Sequence, residues 1–387
     1  MRKIHPLLEP EKQVKARRYE REKRLFGLAG LLVSLGILLA FYFSGASAAL
    51  AGLFPRGSVV WVFLVYVAAL LSGATLLGLP LDYLSGYVHE QRWGFSNQTV
   101  RGWLWDKLKS FLVSLVLAFI VLGLLLWVMS FFREVWWLAA GLGMALVGTV
   151  FATLFPVLIL PLFNKYTPIE DQALIRALSD ILARGGLKSS GFFKQDMSRQ
   201  TKKENAFLAG LGKTRRVVLA DNLMAHMSIP EIVSVIAHEV GHYRHRHIWK
   251  NVLIGTGQQV VVFFCIHLIM RAAYPGFLSS TRWNLAHLPV FFILMGGLSG
   301  FIFGPLNMAL SRRFERQADR YALDHIPTGR DFETALAGLA NRNLANAYPE
   351  WWMKILFYSH PPIGERLAMA EAAVAAESPP GEPVARR

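Results

Sequence analysis

The chain has 387 residues, 53% of them hydrophobic and 17% charged, with a mean hydropathy of +0.36 and a formal net charge of +15. Soluble domains carry about a quarter charged residues, so this composition speaks against a soluble enzyme, and it is far from the polar, highly charged regime of disordered chains. A single cysteine, Cys265, excludes a disulfide framework and any thiolate-rich zinc or iron–sulfur site, while the basic excess points to nucleic acid or anionic lipid.

Six stretches contain no Asp, Glu, Lys or Arg: Leu25–Phe43, Ser58–Leu81, Ser110–Phe132, Val135–Phe163, Asn251–Met270 and His287–Ser311. Each reaches the roughly 20 residues that cross a bilayer as a helix. The first is no cleavable signal peptide, because it follows a long charged arm and lacks a small-residue cleavage site. Lys and Arg then set the orientation. The arm 1–24 holds nine of them, loop 82–109 holds Arg92, Arg101, Lys107 and Lys109, and segments 164–250 and 312–387 are rich in both. The intervening loops hold only Arg56, Arg133, Arg271 and Arg282. The two sets alternate across six spans, so both termini and both large polar segments are expected in the cytoplasm. The charge reads as a topology signal, and no recognised motif supports nucleic acid as a partner. Glu90 and Arg92, just past the second span, either line the approach to a site or pair with each other at the surface.

The predicted fold is therefore mainly α: a polytopic membrane helical bundle with a small α+β cytosolic domain. Its parts are a basic arm (1–24), four spans with a cytosolic loop (25–163), a cytosolic segment (164–250), two spans (251–311), a second cytosolic segment (312–376) and a disordered Pro-containing tail (377–387). Within 164–250, apolar residues recur at helical spacing over Asp171–Ala183, and Gly185 and Gly186 end that helix. Asn205–Ala209 and Val217–Ala220 flank Gly210, Gly212 and Lys213, which fits a hairpin with a longer loop. Ser228, Pro230 and Glu231 form a capping box with proline in the first turn of a further helix.

That helix carries His238-Glu239-Val240-Gly241-His242. Positions i and i+4 share one helix face, so two imidazoles can take adjacent corners of a zinc tetrahedron. Glu239, one residue along, can reach a metal-bound water without being a ligand. Zinc catalysis needs a third protein ligand and an open position. Beyond the sixth span, Glu315 and Asp319 are again i, i+4 on a helix. Either one binds metal while the other holds a ligand histidine, or both pair with Arg312, Arg313, Arg316 and Arg320 on a solvated face. His245 and His247 are expected at the lipid headgroup level among basic residues. His267, inside the fifth span, is expected to be a neutral histidine bonded to a neighbouring helix.

The sequence resembles the integral-membrane zinc metalloproteases of the CAAX prenyl protease 1 family. The resemblance rests on Trp93–Thr99, Pro161–Pro168, Asn205-Ala206 with Arg216–Leu219, His238–His242, Glu315–Asp319 and Ser359–Pro362, in the family's order. The eukaryotic members carry one span more, so a peripheral N-terminal helix is missing or differs here. The resemblance implies one Zn2+ per chain held by His238, His242 and Glu315, with Glu239 as general base and acid. It implies that Asp319 holds a ligand histidine, that His360 stabilises the oxyanion, that Asn205 and Ala206 bind substrate backbone, and that Arg366 orients a metal-site carboxylate. Read without it, His360 is also a histidine packed before two prolines, and Asn205 also a turn residue.

The chemistry is consistent with those roles. Zinc brings the pKa of a bound water to about 7, a carboxylate can take and return its proton, and an exposed strand edge holds a peptide extended. The expected activity is a membrane zinc endopeptidase cutting near the cytoplasmic face, with peptide or protein substrates and the lipid bilayer as partners. A prenylated C-terminal peptide is the substrate class the resemblance implies. A quality-control protease without prenyl specificity and a non-catalytic receptor or transporter with a structural zinc site are the alternatives. A bacterial inner membrane is expected rather than the endoplasmic reticulum.

Overall fold

A computed structural model describes residues 4–53, 58–210, 212 and 215–377. Helix α1 (Pro10–Phe43) begins with proline in its first turn, where the missing N–H does no harm. The Lys-, Arg- and Glu-rich arm favours helix, so arm and first apolar stretch form one continuous rod. The arm is also docked: Gln13, Ala16 and Tyr19 are buried, and the Gln13 side chain accepts from the Ala347 N–H at 3.0 Å and donates to the Ala345 carbonyl at 3.2 Å.

After α2 (Ala46–Ala51), α3 (Val59–Asp82) passes through a π-helical turn into α4 (His89–Arg92). Thr99 caps α5 (Val100–Phe132) by accepting the Gly102 N–H at 3.1 Å. At Arg133 the backbone takes a φ of +40°, a conformation that costs a non-glycine residue energy and breaks a helix. The chain folds back there, and α6 (Trp136–Leu154) packs against α5. Five stretches are long and apolar enough to cross a membrane: Pro10–Phe43, Val59–Arg92, Val100–Phe151, His247–Ala273 and Leu288–His325. The third contains both α5 and most of α6, which the sequence reading counts as two spans.

The soluble part follows. Strand β1 (Tyr166–Pro168), helix α7 (Gln172–Arg184), strands β2 (Phe192–Gln195), β3 (Ala206–Ala209) and β4 (Arg216–Ala220), then α8 (Asp221–His226) and α9 (Ile229–Arg244) complete the first segment. The expected 171–183 helix is α7. Asp171 caps it by accepting from Ala173 and Leu174, and it buries Leu174, Leu178, Ile181 and Leu182, each worth about 1.5–3 kcal/mol. The expected hairpin is β3–β4, with Ala206 opposite Leu219. The sheet is larger than that hairpin, in the order β1-β2-β4-β3, with β2 parallel to β4. At three and four residues, β1 and β2 are too short for the alternation that reveals a strand. Ser228 and Glu231 form the expected reciprocal cap on α9.

The rest is α10 (His247–Ala273), α11 (Thr281–Ala286), α12 (Leu288–Leu298), α13 (Gly304–His325), α14 (Gly329–Asn343), α15 (Trp351–Phe357) and α16 (Ile363–Glu377). One core lies in the soluble unit around Leu178, Leu219, Ile236 and Leu367; a second lies among the spans around Tyr66, Trp136, Ile266 and Leu285. In the latter, His267 accepts from the Trp136 indole N–H at 3.0 Å, the inter-helix bond expected of it. Glu90 does not pair with Arg92: it is bound by Lys203 at 2.7 Å and by the Tyr19 hydroxyl at 2.5 Å. Except for Glu377, which ends α16, the expected tail lies outside the described residues.

Candidate metal centre

Helix α9 presents His238 and His242 on one face, as i, i+4 spacing requires. Helix α13 crosses behind it and brings Glu315 alongside. The approach is closer than a side chain would allow. A Cβ on Gly241 would lie 2.9 Å from the Ala318 Cα and 3.0 Å from its carbonyl oxygen. Gly241 facing Ala318 therefore sets how near the carboxylate comes to the imidazoles.

Three ligand atoms converge. His238 Nε2 and His242 Nε2 are 3.2 Å apart. Glu315 Oε2 lies 3.3 Å from His238 Nε2, and Glu315 Oε1 lies 3.4 Å from His242 Nε2. A tetrahedron with bonds of about 2.0–2.1 Å has edges of about 3.4 Å. The two nitrogens stand near that edge length, each with one Glu315 oxygen beside it, and the three residues are one group of potential metal ligands among the described residues.

The hydrogen bonds behind the histidines decide where their lone pairs point. His238 Nδ1 donates to Asp319 Oδ1 at 2.7 Å, which leaves Nε2 bare in the neutral ring. Arg366 clasps the same carboxylate, Nε to Oδ2 at 2.9 Å and an Nη to Oδ1 at 2.5 Å. On the other ring, Gln317 Oε1 only accepts, so His247 Nε2 donates to it at 2.9 Å. His247 Nδ1 then accepts from His242 Nδ1 at 3.0 Å, and His242 Nε2 is bare as well. Two lone pairs therefore face each other beside a carboxylate whose Oε2 is buried with no hydrogen-bond partner. A metal ion, or in its absence a shared proton, relieves that arrangement, and the donor set suits zinc.

Without a metal the two rings divide a proton unequally. Burial opposes charge on His238, yet its bonds to Asp319 and Glu315 push it up to about 9. Burial and the neighbouring His238 push His242 down to about 4. Burial opposes ionisation of Asp319, but Arg366 and His238 hold it well below the usual carboxylate range. Burial, with Glu315 adding to it, raises Glu239 from its ordinary value, the direction that suits a carboxyl which takes a proton and returns it.

A cavity of about 240 Å³ opens beside the three ligands. Its polar lining includes Asn205, His238, Glu239, His360 and Arg366, and its apolar lining includes Ala206, Leu223, Val235, Phe332 and Leu336. His360 Nε2 is 3.3 Å from Glu315 Oε1, and the His360 ring is more than half exposed. Strand β3 is the sheet edge, and the Leu208 N–H bonds to the Glu239 carboxylate, so the free edge runs past the site. All nine candidate residues of the sequence reading, from Asn205 to Arg366, therefore gather in one place. The carboxylate that Arg366 grips is that of Asp319, behind His238. Asp319 and Glu315 also do not spend themselves on Arg312, Arg313, Arg316 or Arg320.

His247 overturns its expectation. It is only 2% exposed, stacked on Phe314 with ring centroids 4.3 Å apart, and joined to His242. The chain turns inward because Arg246 takes a left-handed φ of +56° between α9 and α10. No glycine or proline marks that break, and a run of His and Arg resembles a span-flanking belt. Gln317 and Gly241 were likewise not singled out. The only sequence signal for Gln317 is its place on α13 between Glu315 and Asp319.

Residues 2–165 match the N-terminal region of CAAX prenyl proteases, described as having five membrane helices, and residues 168–374 match peptidase family M48. CAAX prenyl protease 1 of Saccharomyces cerevisiae is 30% identical, with 94% of this chain and 88% of that protein aligned. The uncharacterized metalloprotease YhfN of Bacillus subtilis is 27% identical over 94% of this chain and 86% of its own. The crystal structure of Saccharomyces mikatae Ste24p superposes with a TM-score of 0.82 at 27% identity, covering 95% of this chain and 90% of that one. Apolar helices that can cross a bilayer, a three-ligand cluster and end-to-end similarity to these proteins agree: the chain belongs to peptidase family M48 and is an integral-membrane metalloprotease.

Proposed function

We propose that this protein is a zinc endopeptidase that cuts an extended peptide at the cytoplasmic face of the membrane. One observation carries the reading: the hydrogen bonds that His238 Nδ1 donates to Asp319 and His242 Nδ1 donates to His247 turn both Nε2 atoms toward the Glu315 carboxylate. With a single cysteine in the chain, two imidazoles near tetrahedral spacing and a carboxylate beside them favour zinc over softer metals. Bound there, zinc supplies Lewis acidity and a water acidified into the neutral range.

The chain's own residues do the rest. Glu239 accepts a proton from the attacking water and returns one to the leaving amine. His360, beside Glu315 and exposed to the cavity, donates to the oxyanion. His360→Ala is expected to lower kcat about 10²–10³-fold, the usual cost of one oxyanion donor, with zinc content unchanged; an unaltered kcat removes His360 from the mechanism. The free edge of β3, from Asn205 and Ala206 onward, takes the substrate as an added strand and so presents its carbonyl at fixed register. Asp319 and Arg366 hold His238 in place.

We count six crossings, taking α5 and α6 as a membrane hairpin, and place the protease segments on the basic, cytoplasmic side. That placement suits the bacterial inner membrane expected above and the endoplasmic reticulum alike. The substrate we propose is a prenylated C-terminal peptide, a reading supported by the name of the Saccharomyces cerevisiae relative. Cleavage of a farnesylated peptide and its unmodified twin, by full-length protein in detergent, tests it. A kcat/KM at least about tenfold higher for the farnesylated peptide, about 1.4 kcal/mol, is expected. Equal rates overturn prenyl specificity and favour a general membrane-protein protease.

A further inference from the structure

Helix α15 carries more exposed apolar surface than water tolerates. Among its seven residues only Met353 is buried. Trp351, Trp352, Ile355, Leu356 and Phe357 are all exposed, Trp351 by 74% and Phe357 by 57%. The one charged side chain, Lys354, turns away to Glu365 on α16. A contiguous apolar face of this kind marks an interaction site.

The elements holding α15 say what covers it. Arg312 is the first charged residue after the last apolar stretch. Its guanidinium donates to the carbonyls of Lys354 and Tyr358, at 2.7 Å each, and so fixes α15 where α13 leaves its apolar run. From the opposite end of the chain, Glu20 accepts from the Asn346 amide, five residues before α15, at 2.8 Å and pairs with Arg24 at 3.0 Å. Leu25, the next residue, begins the first apolar stretch. Two spans far apart in sequence thus change from apolar to charged at the level of α15.

We propose that α15 lies in the plane of the bilayer, its Trp351–Phe357 face inserted at the boundary of headgroups and acyl chains. Tryptophans favour that boundary, and an amphipathic helix there sinks about 5–10 Å. The helix leads through Tyr358 and Ser359 directly to His360. The bilayer therefore seats one wall of the site, and the cleavage position is held close to the membrane surface. The link to cleavage rests on the role proposed for His360; the depth of α15 does not.

The test uses the full chain in lipid nanodiscs. In a Cys265→Ser background, nitroxide labels are placed at Trp351→Cys and, separately, at Leu356→Cys. Phe301→Cys, on a residue 89% exposed within a span, is the deep reference, and Ser179→Cys, exposed on α7, is the aqueous one. Peptidase activity certifies that each labelled protein is folded. Accessibility to oxygen against a water-soluble nickel chelate then reads depth. Labels at 351 and 356 are expected between the two references, favouring oxygen. Nickel accessibility equal to that at 179 overturns the proposal, as does exclusion of both relaxers with dipolar broadening between copies, which assigns the face to a second chain.

Discussion

Glu239→Gln is expected to bind one zinc per chain and to hydrolyse peptide about 10²–10⁴-fold more slowly than the native protein. The substitution keeps size and shape, and the amide oxygen can still accept the Leu208 N–H that the carboxylate accepts now. None of the three ligand side chains changes. What is lost is a group that can take a proton and return it. Burial already raises the Glu239 carboxyl from its ordinary value, the direction that suits both transfers. The expected loss corresponds to about 3–5 kcal/mol of barrier. Metal content by mass spectrometry and peptide turnover, on the same preparation, check it. Undiminished turnover would remove Glu239 from the reaction; loss of zinc together with turnover would make it a structural residue instead.

Metal removal has the other large effect. Dialysis against a chelator is expected to abolish cleavage, and stoichiometric zinc to restore it, with about one ion bound per chain. Before the ion returns, two bare imidazole nitrogens 3.2 Å apart must share a proton, in keeping with His238 pushed up to about 9 and His242 down to about 4. The same wiring makes a finer prediction. His247→Ala removes the acceptor for the His242 Nδ1–H and frees His242 to turn or to change tautomer. Zinc affinity, measured by competition with a chelator, is expected to fall about 10–100-fold, the usual effect of removing a group that orients a ligand. An unchanged affinity would show that packing alone holds His242.

Much of the site was legible in the residues themselves. The pair His238 and His242, the carboxylate between them and the reciprocal cap of Ser228 and Glu231 follow from local spacing on one helix. The β3–β4 hairpin follows from two apolar runs around glycines. The resemblance to a known family added Glu315, Asp319, His360 and Arg366 in named roles. It did not supply their contacts: the carboxylate that Arg366 grips is that of Asp319, which in turn holds His238.

His247 shows where local reading stops. Its neighbours in sequence are basic and precede an apolar stretch, so local chemistry places it among lipid headgroups. A left-handed Arg246 turns it inward instead, onto Phe314 and toward Gln317, both on a helix more than sixty residues later. Glu90 is the same case, since its partners Tyr19 and Lys203 come from two other parts of the chain.

The sequence by itself determined the apolar stretches, the charge bias of their flanks, the helix that carries His238 and His242, and the chemistry its side chains can do. These depend on composition and on periods of a few residues. Only the tertiary structure decided that α13 lies against α9 closely enough for Glu315 to meet the two imidazoles. That distance is set by Gly241 facing Ala318, a contact between helices separated in the chain by α10, α11 and α12, and packing across such a separation leaves no periodic trace in the residues that make it.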